Sequence, residues 1–220
     1  MAASAVVVQT FFNLFININK HDECMRTKKI DNTSKPKTPA LFLDRDGVVN
    51  IDYGYIYRKE NIEFIDGIFS LCKKARNFGY LICIITNQSG IGRGYYSEQD
   101  FFVLTDWMRE IFHSNGAAID KVYFCPTHPE HGIGKYRIKS PSRKPEPGMI
   151  LQAVDDFGID LATSILVGDK ETDIQAGIAA GIGCNLLYNT HKPINNNLSA
   201  ATAVVKKLTE VERFLISHNS

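Results

Sequence analysis

The run LICIIT (Leu81–Thr86) constrains this 220-residue chain more than any other stretch. It is continuously apolar and rich in β-branched residues, with no position set aside to face water. A short run of that kind between turn signals forms a strand covered on both faces, the environment of a strand inside a parallel sheet. The flanking sequence supplies the cover. Over Gly67–Phe78, the residues Ile68, Leu71, Ala75 and Phe78 recur at helical spacing, and Gly79 follows as a stop. The alternation then continues. Strands are predicted at Leu41–Leu43, Lys121–Cys125, Ser164–Asp169 and Cys184–Tyr188, the last of these being the final strand. A helix carrying Phe101, Leu104, Met108, Ile111 and Phe112 on one face follows Ser97, which pairs with Asp100 as an N-terminal cap. Further helices are predicted over Pro147–Phe157, ended by Gly158, over Glu171–Gly181, and over Ser199–Ser217. Strand–helix alternation predicts an α/β fold: a Rossmann-like parallel sheet with helices on both faces, whose ligands bind beyond the carboxyl ends of the strands. Three apolar strands end in polar tips, Asp44-Arg45-Asp46, Thr86-Asn87-Gln88-Ser89 and Gly168-Asp169-Lys170, and these would face one crevice.

The first tip poses an electrostatic problem. In ALFLDRDG (Ala40–Gly47) a buried strand delivers Asp44 and Asp46 two residues apart. Adjacent carboxylates repel unless a cation sits between them or one holds a proton. Phosphate monoester hydrolysis, very slow unaided, gives such a pair a use. Asp44 can attack phosphorus as the nucleophile, and Asp46 can protonate the leaving oxygen and then deprotonate water. Mg²⁺, a hard cation that takes oxygen ligands, relieves the repulsion. Thr86 and the backbone amides after it can donate to phosphoryl oxygens, and Lys144 supplies a compact cation that offsets charge in the transition state. Asp173 lies one helical turn beyond Asp169 and can orient the metal shell or reach Mg²⁺ through water. Taken singly, Asp173 is an ordinary acid of a helix N-terminus, Thr86 a strand residue and Lys144 a solvated loop cation.

Taken together, the Asp-x-Asp after the first strand, Thr86 after the second, the later Lys144, and Gly168-Asp169 with Asp173 beyond it resemble the haloacid dehalogenase-like superfamily. Most members of that superfamily are Mg²⁺-dependent phosphohydrolases. The resemblance runs from Leu41 to about Tyr188. It implies that Asp44 and Asp169 ligate Mg²⁺ through carboxylate oxygens and Asp46 through its backbone carbonyl. The intervals between the first two signatures are short, which implies no large cap domain. The stretches DRDGVVNIDYGY, FIDG, TNQSGIGRGYYSEQD, CPTHPE, RKPEPGM and VGDKETDIQAG are similar to the bacterial D-glycero-D-manno-heptose 1,7-bisphosphate 7-phosphatases, close relatives of histidinol-phosphate phosphatases. That family acts in the nucleotide-heptose pathway that supplies surface polysaccharide. The likeness implies that Asp52, Tyr53, Gly54 and Tyr55, Thr86 to Ser89 (with Asn87 and Gln88), Arg143 and Lys170 lie along a small phosphorylated sugar. Arg143, with its forked guanidinium, suits a second phosphate remote from the reacting one. Two alternatives stand beside this reading: another small ester such as histidinol phosphate, and a non-catalytic scaffold of the same fold.

One departure concerns zinc. Family members often carry a structural Zn²⁺ on a Cys-x-His pair and a later Cys-x-Cys. Here Cys125 is followed by Thr127, and the later pair reads Ser140-Pro141-Ser142. Hydroxyls are poor zinc ligands. The expectation is a zinc-free loop, with Cys125, His128 and His131 as the residual candidates.

Composition narrows the remaining classes. With 25 Lys and Arg against 24 Asp and Glu, the net charge of +1 leaves no electrostatic footprint for nucleic acid or an anionic membrane. Five cysteines, an odd number without paired spacing, point to a reducing, cytoplasmic setting. Residues 1–39 read as a leader and flexible basic tether. Ala5–Asn19 is too short and interrupted to span a bilayer, and an amphipathic anchor is the alternative. Residues 40–218 form the expected phosphatase domain, a monomer.

Overall fold

The computed structural model describes residues 37–190 and 199–216. The expected leader therefore lies outside the described residues up to residue 36. Six strands form one sheet: β1 (Ala40–Leu43), β2 (Leu81–Asn87), β3 (Lys121–Cys125), β4 (Ile165–Gly168), β5 (Cys184–Tyr188) and β6 (Ala203–Val205). Their order is β3-β2-β1-β4-β5-β6, and every pairing is parallel. The helices are α1 (Ile68–Asn77), α2 (Ser89–Gly92), α3 (Glu98–Ser114), α4 (Gly148–Phe157) and α5 (Glu171–Ala180). Among the described residues no helix is long and apolar enough to cross a membrane.

The continuous apolar runs follow from the two-sided cover. Side chains alternate along a strand, so each run must be apolar at both parities when helices lie on both faces. Leu41, Leu43, Ile82 and Ile84 join Ile68, Leu71, Met108 and Phe112 from α1 and α3 in one core. Ala40, Phe42, Cys83 and Ile85 join Met149, Ile150, Ala153 and Ile174 from α4 and α5 in the other. The caps match the sequence reading. Ser97 Oγ accepts the Asp100 N–H at 3.1 Å, and Asp100 Oδ2 accepts the Ser97 N–H at 2.8 Å. Gly158 closes α4 with φ 67°.

The C-terminal segment corrects the prediction. Instead of a helix over Ser199–Ser217, Ala203–Val205 add a sixth strand to β5, with Leu186 opposite Ala203 and Tyr188 opposite Val205. Cys184–Tyr188 is thus not the last strand. A 3₁₀ stretch, Leu208–Phe214, follows and buries Leu208 and Val211. The pair Val204-Val205 is β-branched and suits the open edge of the sheet better than a helix interior.

Register sets up the site. Leu43 lies opposite Ile84 of β2 and Val167 of β4, so the next residue on each strand, Asp44, Ile85 and Gly168, ends up level. The Asp44 N–H donates to the Val167 carbonyl at 3.0 Å and carries the ladder one step further. After β1 the chain folds back: Ile51 N–H donates to Glu63 O and Ile65 N–H to Val49 O, a small extended pairing that projects residues 52–62 beside the strand ends.

Candidate active site

Asp44 is 6% exposed and Lys144 4%. All three ammonium protons of Lys144 have acceptors: Asp44 Oδ1 at 2.9 Å, Asp173 Oδ1 at 2.6 Å and the Ile85 carbonyl at 2.8 Å. Asp173 is 2% exposed, and its other oxygen accepts the Lys170 N–H at 3.0 Å at the start of α5. It is therefore an acid of a helix N-terminus and a partner of the buried lysine at once. Oxygens of Asp44, Asp169 and Asp173 lie within 4.8 Å of one another. Asp169 Oδ1 is buried and has no hydrogen-bond partner. Gly47, φ +97°, lets the turn after Asp46 pass this cluster, since a Cβ there would stand 2.4 Å from Asp169 Oδ2.

The electrostatics register the crowding. Burial, with the charges of Asp173 and Asp169, pushes the Asp44 carboxyl up to about 7 despite the opposing pull of Lys144. Burial also raises Asp169. Burial disfavours the Lys144 ammonium, but Asp44 and Asp173 more than reverse this, so its pKa is raised. Three carboxylates and one saturated lysine, with an unpaired buried oxygen, form an oxygen-rich pocket whose charge suits a hard divalent cation.

Asp46 is held apart from this cluster. Arg45, 1% exposed, grips it with Nε at 3.1 Å and Nη2 at 2.8 Å and also donates to the Ile56 carbonyl. Asn50 Nδ2 and Gln88 Nε2 add donors at 3.1 and 3.0 Å. Gln88 also donates to Thr86 Oγ1 at 2.8 Å and accepts from the Tyr96 hydroxyl. The sequence reading passed over Arg45, Asn50 and Tyr96. A signal existed for Arg45: strand parity turns the residue between two site acids away from the crevice, and a cation buried there needs a carboxylate.

A cavity of about 330 Å³ opens above these groups. Asp44, Asp46, Asp52, Gly54, Tyr55, Thr86, Asn87, Gln88, Ser89, Lys144, Lys170 and Asp173 line it, as do Gly90, Tyr96 and Thr172, which the sequence reading missed. Gly90 has a steric reason. A Cβ there would meet Tyr96 Cε1 at 2.3 Å and Tyr55 Cδ1 at 2.9 Å, so only a bare backbone lets both rings close over α2. Lys170 sits between Asp52 at 3.2 Å and Asp169 at 3.5 Å. Three predicted residues are not in this lining: Asp169, which stands behind it in the acid cluster, Tyr53 and Arg143. The Tyr53 hydroxyl donates to Glu63 Oε2 at 2.7 Å, on the far side of the left-handed Gly54-Tyr55 turn. Arg143 Nη1 donates to the Thr127 carbonyl at 3.0 Å, at the rim. In the same loop, Cys125 Sγ and Thr127 Oγ1 share a hydrogen bond, and His128 Nδ1 accepts the N–H groups of Glu130 and His131.

Comparisons with known proteins agree on the family. Residues 141–211 match the HAD-hydrolase-like family model. The D-glycero-alpha-D-manno-heptose-1,7-bisphosphate 7-phosphatase of Burkholderia mallei is 57% identical over 179 residues, covering 81% of this chain and 94% of that protein. The D-glycero-beta-D-manno-heptose-1,7-bisphosphate 7-phosphatase of Escherichia coli K12 is 41% identical, covering 79% and 91%. Among solved structures, the D,D-heptose 1,7-bisphosphate phosphatase of B. bronchiseptica, complexed with magnesium and phosphate, superposes with a TM-score of 0.67 at 27% identity, covering 80% of this chain and 96% of that one. With this identity over nearly the whole described fold, the chain belongs to the HAD-like hydrolases, in the heptose-1,7-bisphosphate 7-phosphatase family, and is a phosphoric monoester hydrolase.

Proposed function

We propose that the protein removes the 7-phosphate of D-glycero-D-manno-heptose 1,7-bisphosphate through an aspartyl-phosphate on Asp44. The observation that carries the reading is the gathering of Asp44, Asp169 and Asp173 oxygens within 4.8 Å around a buried, unpaired Asp169 Oδ1. These acids, with the Asp46 carbonyl, would hold Mg²⁺, which supplies positive charge against the phosphoryl oxygens. Asp44 attacks phosphorus while the bond from phosphorus to the sugar oxygen breaks, and Asp46 gives that oxygen a proton. Asp46 then takes a proton from water as the water attacks phosphorus, and the Asp44–phosphorus bond breaks to free phosphate. Arg45, Asn50 and Gln88 hold Asp46 at the edge of the path. Lys144 acts through its charge and by orienting Asp44, because its three protons are already committed. Asp52, Tyr55 and Lys170 line the sugar's path, as do Thr86 to Ser89.

The buried thiols of Cys72, Cys83 and Cys125, all free, support a reducing, cytoplasmic setting. The hydrogen bonds that occupy Cys125, Thr127 and His128 support a loop that dispenses with zinc. The test is kcat/KM with Mg²⁺ for both anomers of the heptose bisphosphate, since the named relatives differ in anomer, and for histidinol phosphate. Zinc content is measured on the same preparation. The reading expects a preference of about tenfold or more for a heptose bisphosphate, and no stoichiometric zinc. Equal or better turnover of histidinol phosphate would transfer the assignment to that ester, and no hydrolysis of any monoester would favour a scaffold. One zinc per chain would overturn the metal-free loop.

A further inference from the structure

A single side-chain amide joins Asp46 to Thr86. Gln88, 2% exposed, sends one Nε2 proton to Asp46 Oδ2 at 3.0 Å and the other to Thr86 Oγ1 at 2.8 Å, while its Oε1 accepts from the Tyr96 hydroxyl. The polarity of this chain is forced. An ionised carboxylate only accepts, so the amide turns its NH₂ end to Asp46 and its oxygen to Tyr96. Tyr96 must then donate, and burial, which pushes its hydroxyl up to about 12, keeps the proton on it. Thr86 Oγ1 accepts from Gln88, and among the described residues its own hydroxyl donates to no other group. Thr86 lines the cavity, so that proton is left over for an oxygen bound there.

Nothing in Gln88 itself selects between the two ends of its amide, because the last torsion of a glutamine is broad and roughly two-fold. Asp46 is a weak selector, since Arg45 and Asn50 already donate to it. Without the Tyr96 hydroxyl, Gln88 Oε1 would be buried without a donor, a costly state that turning the amide relieves. Turned round, the oxygen would claim the Thr86 proton and face the Asp46 carboxylate. The Tyr96 ring, by contrast, is fixed without its hydroxyl. It stacks on Tyr57 at 5.1 Å and 10°, packs with Ile91 and Phe101, and lies so close to Gly90 that a Cβ there would stand 2.3 Å from its Cε1. Tyr57 follows Ile56, whose carbonyl accepts from Arg45 Nη2, so the fold-back that grips Asp46 also seats Tyr96.

We propose that Tyr96 is a positioning residue of the reaction: through the Gln88 amide, its hydroxyl holds Asp46 in place and keeps the Thr86 proton free for a phosphoryl oxygen. The proposal rests on the phosphatase reading, with Asp46 as acid and base. Tyr96→Phe keeps the ring contacts and removes only the hydroxyl. The experiment compares kcat/KM for phenyl phosphate, whose leaving oxygen needs a proton, with that for 4-nitrophenyl phosphate, whose leaving group departs without one. Any inactive fraction cancels in the ratio of the two. Tyr96→Phe should lower kcat/KM about tenfold for phenyl phosphate and about threefold for 4-nitrophenyl phosphate, the smaller loss being the Thr86 share common to both. Added to Gln88→Met, which has no amide to orient, the same change should alter either value by less than about 1.5-fold. Unchanged values in Tyr96→Phe, an equal fall for both esters, or the same loss with and without the amide would each overturn the proposal. Neither ester is a sugar phosphate, so failure of the heptose assignment leaves this test standing.

Discussion

On the floor of the crevice Asp44, Lys144 and Asp173 are 6%, 4% and 2% exposed, whereas on its rim Tyr53, Tyr55 and Tyr95 are 62%, 47% and 55% exposed. The floor is set by sheet register and helix starts, so each group is fixed by backbone that the cores hold in place. The rim is made of loops, with a left-handed turn and ring contacts such as Tyr55 on Tyr95 at 4.7 Å. Burial makes charges interact strongly, which suits bond breaking. Exposure makes contacts cheap to alter, which suits substrate choice. Changes on the floor should therefore cost the reaction itself, and changes on the rim should cost preference.

The largest effect is expected for Asp44→Asn. Turnover should fall about 10⁴-fold or more with every substrate if, as proposed, Asp44 is the nucleophile. The same change should stabilise the ion-free protein. The Asp44 pKa in the fold, about 7, lies above the ordinary aspartate value of 3.8. A carboxyl raised by folding takes up a proton on folding, so the ion-free wild type loses stability as pH rises from that lower value through about 7, and loses no more above it. Urea melts in chelator should show Asp44→Asn ahead by on the order of 2 kcal/mol at pH 8 and by little at pH 4. A variant less stable than wild type at pH 8 would mean that the Lys144 pair outweighs burial and like-charge repulsion.

A smaller effect sharpens the rim side of the contrast. Tyr55→Gly removes the ring and relieves the positive φ at once. Stability should change by less than about 1 kcal/mol, while kcat/KM for the bisphosphate falls about fivefold. A loss on the scale of Asp44→Asn would erase the distinction between floor and rim.

The two regions also differ in how far they could be read from sequence. Apolar runs that end in acids announced the sheet, its two-sided cover and the meeting of Asp44, Thr86 and Asp169, because strand direction carries tip residues to one edge whatever the loops do. Side-chain partnerships were less visible. Arg45 grips Asp46 and Tyr96 bonds Gln88 only because the chain folds back after β1 and α2 turns beneath the Tyr55 and Tyr96 rings, and no periodicity encodes those contacts. Tyr53 and Arg143 were expected in the crevice on family pattern, but a left-handed turn and a loop carbonyl hold them outside its lining. Val204 and Val205 fell within the helix expected over Ser199–Ser217 and became strand because the sheet still had an open edge.

The central claim is that Asp44 forms a covalent bond to phosphorus and Asp46 serves the water step. Asp46→Asn with 4-nitrophenyl phosphate tests it most directly, because that leaving group departs without a proton while the water step still needs the base. Peptide mass spectrometry after acid quench should find one phosphoryl group on Asp44 in most chains. Release of nitrophenol with no phosphoryl group on the protein, or with the group on another residue, would contradict the account.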